Sequence, residues 1–270
     1  MESARKLKHE KVVEIDGVFD QAEFPTISPT FEVYISETIN VIEESGAIEQ
    51  YLIAGEISFA LTSIASSHAE SSIFKISNVT KLEKFIVNPQ FVEQLETPGE
   101  FKLKLQGIQE FQSQSIPIMK YQVKVENIQE SVPIVLNPVW KFTETETNLL
   151  IAYQNVGKFF EKHPIEHLTL NCPITKQGDV GQVVTQPVAI WDLDARTLLW
   201  DVGKTEGFDL KQIIARLECE KFEPEPIVVD FTASGLLSEI DLSSDASIKL
   251  NVSHKKIKSG AFGAKGKIIE

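Results

Sequence analysis

Apolar and polar residues alternate along most of this chain, and the alternation predicts β-strands. The clearest cases are residues 101–105 and 121–125, in which apolar residues alternate with Lys or Gln. Successive side chains of a strand point to opposite faces, so both segments belong in an antiparallel sheet with one solvated face. The other predicted strands are residues 31–35, 56–61, 72–76, 149–153, 167–172, 188–191, 197–202, 212–220, 227–231 and 248–254.

Helical patterns are few. Residues 36–49 and 81–95 have the composition of short helices, although Pro89 interrupts the second segment. Residues 211–219 also have a helical composition, but apolar and polar positions alternate there, and we predict a strand. Many strands without regular intervening helices are typical of sandwich-type sheets. The predicted fold class is therefore all-β.

The three tryptophans, Trp140, Trp191 and Trp200, lie in strand-like segments of residues 138–203. Such a setting favours positions in the core over a ligand site. The chain contains no G-x-S-x-G motif. The sequence therefore favours a binding protein, and we expect neither an enzymatic activity nor a cofactor.

Composition restricts the classes of binding protein that fit this chain. The 270 residues carry a net charge of −13, which argues against nucleic-acid binding by the whole chain, because that requires a basic surface. Two cysteines, Cys172 and Cys219, cannot form a disulfide framework and favour a reducing, cytoplasmic setting. No export signal precedes residue 12, and no window reaches the ~20 apolar residues of a membrane span.

One catalytic motif is matched: His163, Glu166 and His167 fit the H-x-x-E-H pattern of inverted zinc proteases. That chemistry needs both imidazoles on one helical face. Residues 168–172 have a strand pattern, so we interpret the motif as a loop that enters a strand and expect no metal site. Asp192 and Asp194 lack further oxygen ligands in a suitable loop, and we interpret them as a solvated turn.

Residues 260–267 have the composition of a phosphate-binding loop. The G-x-x-x-x-G-K-[ST] spacing is not met, and Ile268 stands in place of the required hydroxyl residue. A turn followed by a final strand is the better interpretation.

A basic segment near the C-terminus stands out in this acidic chain, because no acidic residue interrupts it before Glu270. Two interpretations remain open. The lysines protect an edge strand from aggregation, or they bind an acidic partner or an anionic lipid surface. The candidate partner-binding residues are Lys255, Lys256, Lys258, Lys265 and Lys267.

Several segments together resemble the mu homology domain of clathrin adaptors, most closely that of the fungal muniscins, which are F-BAR-containing endocytic adaptors. The resemblance covers residues from about 30 to the end of the chain. The segments that carry it are Gly55-Glu56-Ile57-Ser58-Phe59, Pro138-Val139-Trp140-Lys141-Phe142 with the Thr-rich stretch after it, Thr197-Leu198-Leu199-Trp200, and the lysine-rich end with Ser259-Gly260-Ala261-Phe262.

The resemblance implies an elongated all-β fold of two β-sandwich subdomains, the second inserted into the first. Residues 1–29 would form a linker, residues 30–137 with 231–270 subdomain A, and residues 138–230 subdomain B. Residues 133–138, which are flanked by prolines, would form the joint. The closing strands from Phe231 onward would then pair with strands near the start of the chain.

The family also implies a function. Its cargo-sorting relatives recognise tyrosine signals partly through a Trp-x-Arg, where this chain has Val252, Ser253 and His254, so tyrosine-signal recognition is not expected. The resemblance instead implies a non-catalytic adaptor of early clathrin-mediated endocytosis, cytoplasmic and peripheral at plasma-membrane endocytic sites. Its partners would be EH-domain scaffold proteins and the cytoplasmic tails of membrane cargo.

The alternative is an extracellular β-sandwich adhesion module. That interpretation predicts glycans at the sequons of Asn78 or Asn251, or a disulfide between Cys172 and Cys219.

Overall fold

The computed structural model describes residues 28–63, 71–111, 114–175, 180–205 and 207–269, and strands dominate this part of the chain. The predicted linker therefore lies outside the described residues, apart from Ser28 and Pro29. The strands are β1 Thr30–Glu44, β2 Ala47–Ser63, β3 Ser71–Ile76, β4 Leu82–Val87, β5 Val92–Gln94, β6 Glu100–Lys104, β7 Ser115–Val123, β8 Ile134–Phe142, β9 Thr147–Asn155, β10 Ile165–Pro173, β11 Val183–Gln186, β12 Ile190–Asp192, β13 Thr197–Thr205, β14 Lys211–Leu217, β15 Ile227–Ser234, β16 Leu242–Ser244, β17 Lys249–Lys265 and β18 Lys267–Ile269.

Helices contribute little to the described residues. Helix α1 spans Leu105–Gln109 and helix α2 spans Ile128–Ser131, while Val79–Lys81 and Lys158–Glu161 form 3-10 turns. None of these helices is long and apolar enough to cross a bilayer. The all-β prediction is confirmed.

A nine-stranded sheet of order β12-β13-β10-β15-β17-β1-β2-β7-β4 forms the largest layer. Strand β1 lies near its centre, parallel to β17 and antiparallel to β2. The pairing of β17 with β1 confirms the predicted return of the closing strands to the start of the chain. Along β1 the buried positions recur every second residue, so one face of the strand packs on the core and the other faces solvent.

Two smaller sheets complete the described fold. The four-stranded sheet has the order β16-β3-β6-β5 and the five-stranded sheet the order β11-β14-β9-β8-β18. Aromatic contacts join the first of these to the large sheet, with 5.4 Å between the ring centres of Phe59 and Phe74. The second is joined to β13 by a buried hydrogen bond of 3.1 Å from the Asn155 amide to Thr205 Oγ1.

The two predicted helices are wrong. Residues 36–44 belong to β1 and residues 47–49 to β2, while residues 81–95 contain β4 and β5. Helix propensity is a weak preference, and β1 hydrogen-bonds to a neighbouring strand on each side, which overrides it. The predicted strand over residues 211–219 is confirmed as β14.

Two smaller expectations change. The predicted strand over residues 188–191 is shorter than expected, because β12 begins at Ile190. The turn expected within residues 260–267 is not formed. Strand β17 continues to Lys265, and Gly266 alone separates it from β18.

The predicted joint at residues 133–138 is not a free connection, because β8 begins at Ile134 and contains Pro138. The predicted subdomain limits fall inside β8 and β15. Strands β10, β12 and β13 lie within residues 138–230 and extend the large sheet beyond β15. That sheet therefore runs through both predicted subdomains.

Candidate functional site

The candidate basic residues lie mainly on β17, which has β15 on one side and β1 on the other. Lys256 is paired with Ser36 of β1 and Ser234 of β15, and Lys258 is aligned with Thr38 and Thr232. The interpretation that these two lysines protect an edge strand is therefore wrong, because the backbone of β17 pairs with a neighbouring strand on each side.

The side chains of Lys256 and Lys258 share the solvent face of the large sheet. Ile257 between them is fully buried, which places the two lysines on the opposite face. Neither ammonium group lies within ion-pair distance of a carboxylate among the described residues, and both side chains are exposed. We call Lys256 and Lys258, with the polar residues beside them, the basic face.

The other three candidate lysines do not join the basic face. Lys255 points to the other side of β17, where its Nζ lies 2.9 Å from Asp241 Oδ1. Lys265 lies at the far end of β17, with its Nζ 3.7 Å from Glu44 Oε1. Lys267 lies on β18, the terminal strand of the five-stranded sheet, so the edge-protection interpretation fits that residue.

The basic face ends at an aromatic pair. The rings of His254 and Tyr34 stack with their centres 5.0 Å apart and an angle of 11° between their planes. The Tyr34 hydroxyl donates a 2.6 Å hydrogen bond to Glu32 Oε2, and this bond raises the pKa of Tyr34. Tyr34 is therefore held as a neutral donor, and its ring stacks on the ring of His254.

Two buried carboxylates on β1 were missed by the sequence analysis. Glu37 accepts hydrogen bonds from the Leu237 amide at 2.6 Å and the Tyr121 hydroxyl at 3.0 Å, and also from the amide and hydroxyl of Ser238. Burial raises the pKa of Glu37, although these hydrogen bonds favour the ionised form. The carboxylate thereby fastens the loop after β15 to the large sheet.

Glu43 is the second of these residues. Its Oε2 accepts a hydrogen bond of 2.9 Å from the Leu136 amide of β8, whereas its Oε1 has no hydrogen-bond partner among the described residues. Burial raises the pKa of Glu43 to about 7. The signal for both glutamates was present in the sequence, because they share the period-two positions of Ile35, Ile39 and Val41. The helical interpretation of residues 36–49 concealed it.

Glu43 predicts a pH dependence of stability. Its folded-state pKa lies above the ordinary value of 4.5, so the stabilising contribution is complete below pH 4.5 and is lost as the pH rises through 7. Relative to Glu43→Gln, the free energy of unfolding of the wild type should fall by about 2–3 kcal/mol between pH 5 and pH 8. Urea titrations at both pH values measure this difference.

Glu49→Gln on β2 is the matched control, because Glu49 is exposed at the same hairpin. That substitution should leave the pH dependence of the wild type unchanged. An identical pH dependence in the wild type and Glu43→Gln would contradict the assignment to Glu43.

The motif residues of the sequence analysis have other roles. His163 stacks on Phe159 with ring centres 4.3 Å apart, and His167 lies on β10, as the strand interpretation predicted. No three His, Cys, Asp or Glu side chains of the described residues are grouped for a metal ion. Asp192 Oδ1 accepts hydrogen bonds from the amides of Asp194 and Ala195, which confirms the predicted turn.

The tryptophans and cysteines belong mainly to the core. Trp140 and Trp200 are buried, while Trp191 is partly buried and packs against the core. Cys172 and Cys219 are both free and buried, and burial raises the pKa of the Cys172 thiol. The disulfide that the adhesion alternative allowed is not formed.

Solved structures with the same arrangement of sheets are mu homology domains. The zebrafish (Danio rerio) Fcho1 domain with a bound Eps15 peptide is 18% identical, with a TM-score of 0.71 over 89% of this chain and 98% of that one. The yeast delta-COP-I domain is 14% identical, with a TM-score of 0.63 over 89% and 98% of the two chains. The same yeast domain in complex with a Dsl1 WxWxV peptide gives 12% identity, a TM-score of 0.58 and coverages of 89% and 99%.

These likenesses define the class of fold, and the family follows from the sequence. The family model described as the muniscin C-terminal mu homology domain matches residues 29–265. The chain belongs to this family of mu homology domains. A search of curated protein sequences gives no significant match.

Proposed function

We propose that this domain is a non-catalytic endocytic adaptor module that binds a disordered acidic segment of an EH-domain scaffold protein. The likeness to the Fcho1 domain, whose structure holds an Eps15 peptide, supports the choice of partner. Membership of the muniscin family supports the choice of process. The proposed place of action is the cytoplasmic side of the plasma membrane at clathrin-coated pits, where the domain also contacts cargo tails.

The single observation that carries the proposal is the basic face. Lys256 and Lys258 are exposed on one face of β17, and neither has a carboxylate within ion-pair distance in the part of the chain that the structure describes, although the protein has a net charge of −13. Ammonium groups that have no ion-pair partner of their own attract acidic segments and orient their approach. A single contact of this kind has modest affinity, and repeated motifs on one scaffold chain would supply avidity.

The resemblance to fungal muniscins supports further parts of the proposal. The domain would act beside an F-BAR membrane-binding domain, joined to it by a linker. Its two β-sandwich subdomains would share the large sheet, with the five-stranded sheet belonging to the inserted one. An anionic membrane surface is the alternative ligand of the basic face, because phospholipid headgroups offer the same negative charge.

Charge reversal tests the basic face. Lys256→Glu combined with Lys258→Glu should weaken binding to the disordered region of an EH-domain scaffold protein at least about tenfold, because attraction becomes repulsion. Isothermal titration calorimetry at two salt concentrations measures the affinity and its electrostatic share.

The matched control reverses two exposed lysines distant from β17, Lys84 on the terminal strand β4 and Lys124 directly after β7. Binding of that variant should stay close to wild type. Equal weakening of both variants would indicate a general charge effect and would refute a local site. If the variant with Lys256→Glu and Lys258→Glu loses binding to anionic liposomes but still binds the scaffold protein, the ligand of the basic face is the membrane surface.

A further inference from the structure

The segment around β12 exposes a run of large aliphatic side chains. Val188 is 88% exposed, Ile190 62% and Leu193 74%, all within six residues. Single exposed apolar residues are common on protein surfaces, whereas a contiguous group often marks a docking site. This group lies far along the large sheet from the basic face, with β13, β10 and β15 between them.

The backbone of the same segment is an open sheet edge. Strand β12 is the terminal strand of the large sheet and pairs on one side with β13, with Ile190 opposite Leu199 and Asp192 opposite Thr197. No strand of the described residues pairs with its outer side. An edge of this kind offers N–H and C=O groups to an added strand, and exposed aliphatic residues increase that tendency.

The edge is held in a fixed conformation by its own contacts. The indole N–H of Trp200 donates a hydrogen bond of 3.2 Å to the carbonyl of Pro187, and the Ala189 amide donates one of 2.8 Å to Thr185 Oγ1. At the other end, the carboxylate of Asp192 caps the turn into β13. Such an edge needs little ordering when a partner binds, which favours association.

We propose that β12 is a second docking site, which accepts an extended segment of another protein by strand addition. Ile190 and Asp192 share the outer face of β12, whereas Trp191 lies on the inner face beside Leu198. The fitting segment carries an aliphatic residue beside Ile190 and a Lys or Arg two positions along, beside Asp192. The residue between them packs against Trp191 and is also apolar.

Charge selects this partner over a second copy of the chain. A second copy would pair its own β12 with this edge and would bring Ile190, Trp191 and Asp192, none of which is basic. It would also bring another net charge of −13. A basic partner segment instead places opposite charges on neighbouring strands, which is the favourable cross-strand arrangement.

Peptide titration followed by NMR tests the site, and the result does not depend on the basic face. The probe is the heptapeptide Thr-Val-Thr-Val-Val-Lys-Lys, in which the run Val-Val-Lys supplies the aliphatic, the apolar and the basic position in that order. We expect shifts of the amide signals of residues 188–193, with about three- to fivefold weaker binding when glutamates replace the lysines. The same weakening is expected for Asp192→Asn, because asparagine keeps the turn-capping oxygen but loses the charge.

The triple variant Val188→Ser, Ile190→Ser and Leu193→Ser should bind the lysine peptide at least about tenfold more weakly. Its exposed positions make an effect on folding small, and a thermal unfolding curve checks this. The matched control is Ile86→Ser, at an exposed aliphatic residue on the opposite edge of the same sheet, and this variant should keep full binding.

Two outcomes would overturn the proposal: the triple variant binds the lysine peptide as tightly as the wild type does, or the amide signals of residues 188–193 do not shift at millimolar peptide. A concentration-dependent dimer that the triple variant abolishes would assign the edge to a second copy instead.

Discussion

Replacing Glu37 by alanine should lower the free energy of unfolding by about 3–5 kcal/mol. The substitution removes the acceptor for two backbone amides, a tyrosine hydroxyl and a serine hydroxyl in a fully buried site. Each buried donor without a partner costs about 1–3 kcal/mol, and collapse of the site recovers part of this. Chemical denaturation at neutral pH measures the change.

Two further variants sharpen the Glu37 experiment. Glu37→Gln keeps the shape and one acceptor oxygen, so we expect a smaller loss of about 1–2 kcal/mol. Glu44→Ala lies on the same strand but is exposed, and it should cost at most about 1 kcal/mol even though it removes an ion pair with Lys265. Equal losses for Glu37→Ala and Glu44→Ala would contradict the structural role assigned to Glu37.

Gly55→Ala should be the second severe substitution, with a loss of about 2–4 kcal/mol. Gly55 lies on β2 directly opposite Tyr121 of β7, and the tyrosine ring covers it. A methyl group at position 55 would lie 2.0 Å from Cζ of that ring. The ring cannot move aside without breaking the hydrogen bond between the Tyr121 hydroxyl and Glu37.

A double-mutant cycle separates this clash from a general effect of glycine replacement. Tyr121→Ala removes the ring, so the loss from Gly55→Ala should be much smaller in that background. Gly107→Ala in helix α1 is the control, because its added methyl group would make an ordinary van der Waals contact of 3.4 Å with the ring of Phe91. Additive losses for Gly55→Ala and Tyr121→Ala would show that the ring does not restrict position 55.

Most strands could be predicted from alternation, whereas those within residues 36–49 and 81–95 could not, and the first of these segments shows a physical reason. Residues 36–49 carry glutamates at core-facing positions, and a charged residue at such a position hides the period-two pattern. Those glutamates are tolerated only because their oxygens meet amides from segments distant in sequence, Leu136 and Leu237. Partners of this kind cannot be identified from a local sequence pattern.

The candidate site could likewise be predicted only in part from the sequence. The sequence indicated five candidate lysines near the C-terminus and left open whether they protect an edge strand or bind a partner. Only two of them share an open surface, because Lys255 points to the other face of β17, Lys265 pairs with Glu44 at the far end of the strand, and Lys267 lies on β18. The carboxylate partners Asp241 and Glu44 are set by the tertiary structure, and the local sequence does not reveal them. The docking edge at β12 was missed for a related reason: its apolar residues resemble those of a core strand until the order of the sheet shows that β12 is terminal.

The amino-acid sequence by itself determined most of the strand-forming segments, the all-β class and the acidic balance with its basic C-terminal segment, because these depend on local periodicity and composition. The tertiary structure alone decided which face of each strand meets solvent, which lysines are neutralised by carboxylates and which strand ends the large sheet. Those properties depend on pairing between residues as far apart as Thr30 and Lys249. Neighbouring residues in a strand cannot specify such pairing, because every strand offers the same backbone donors and acceptors to any partner.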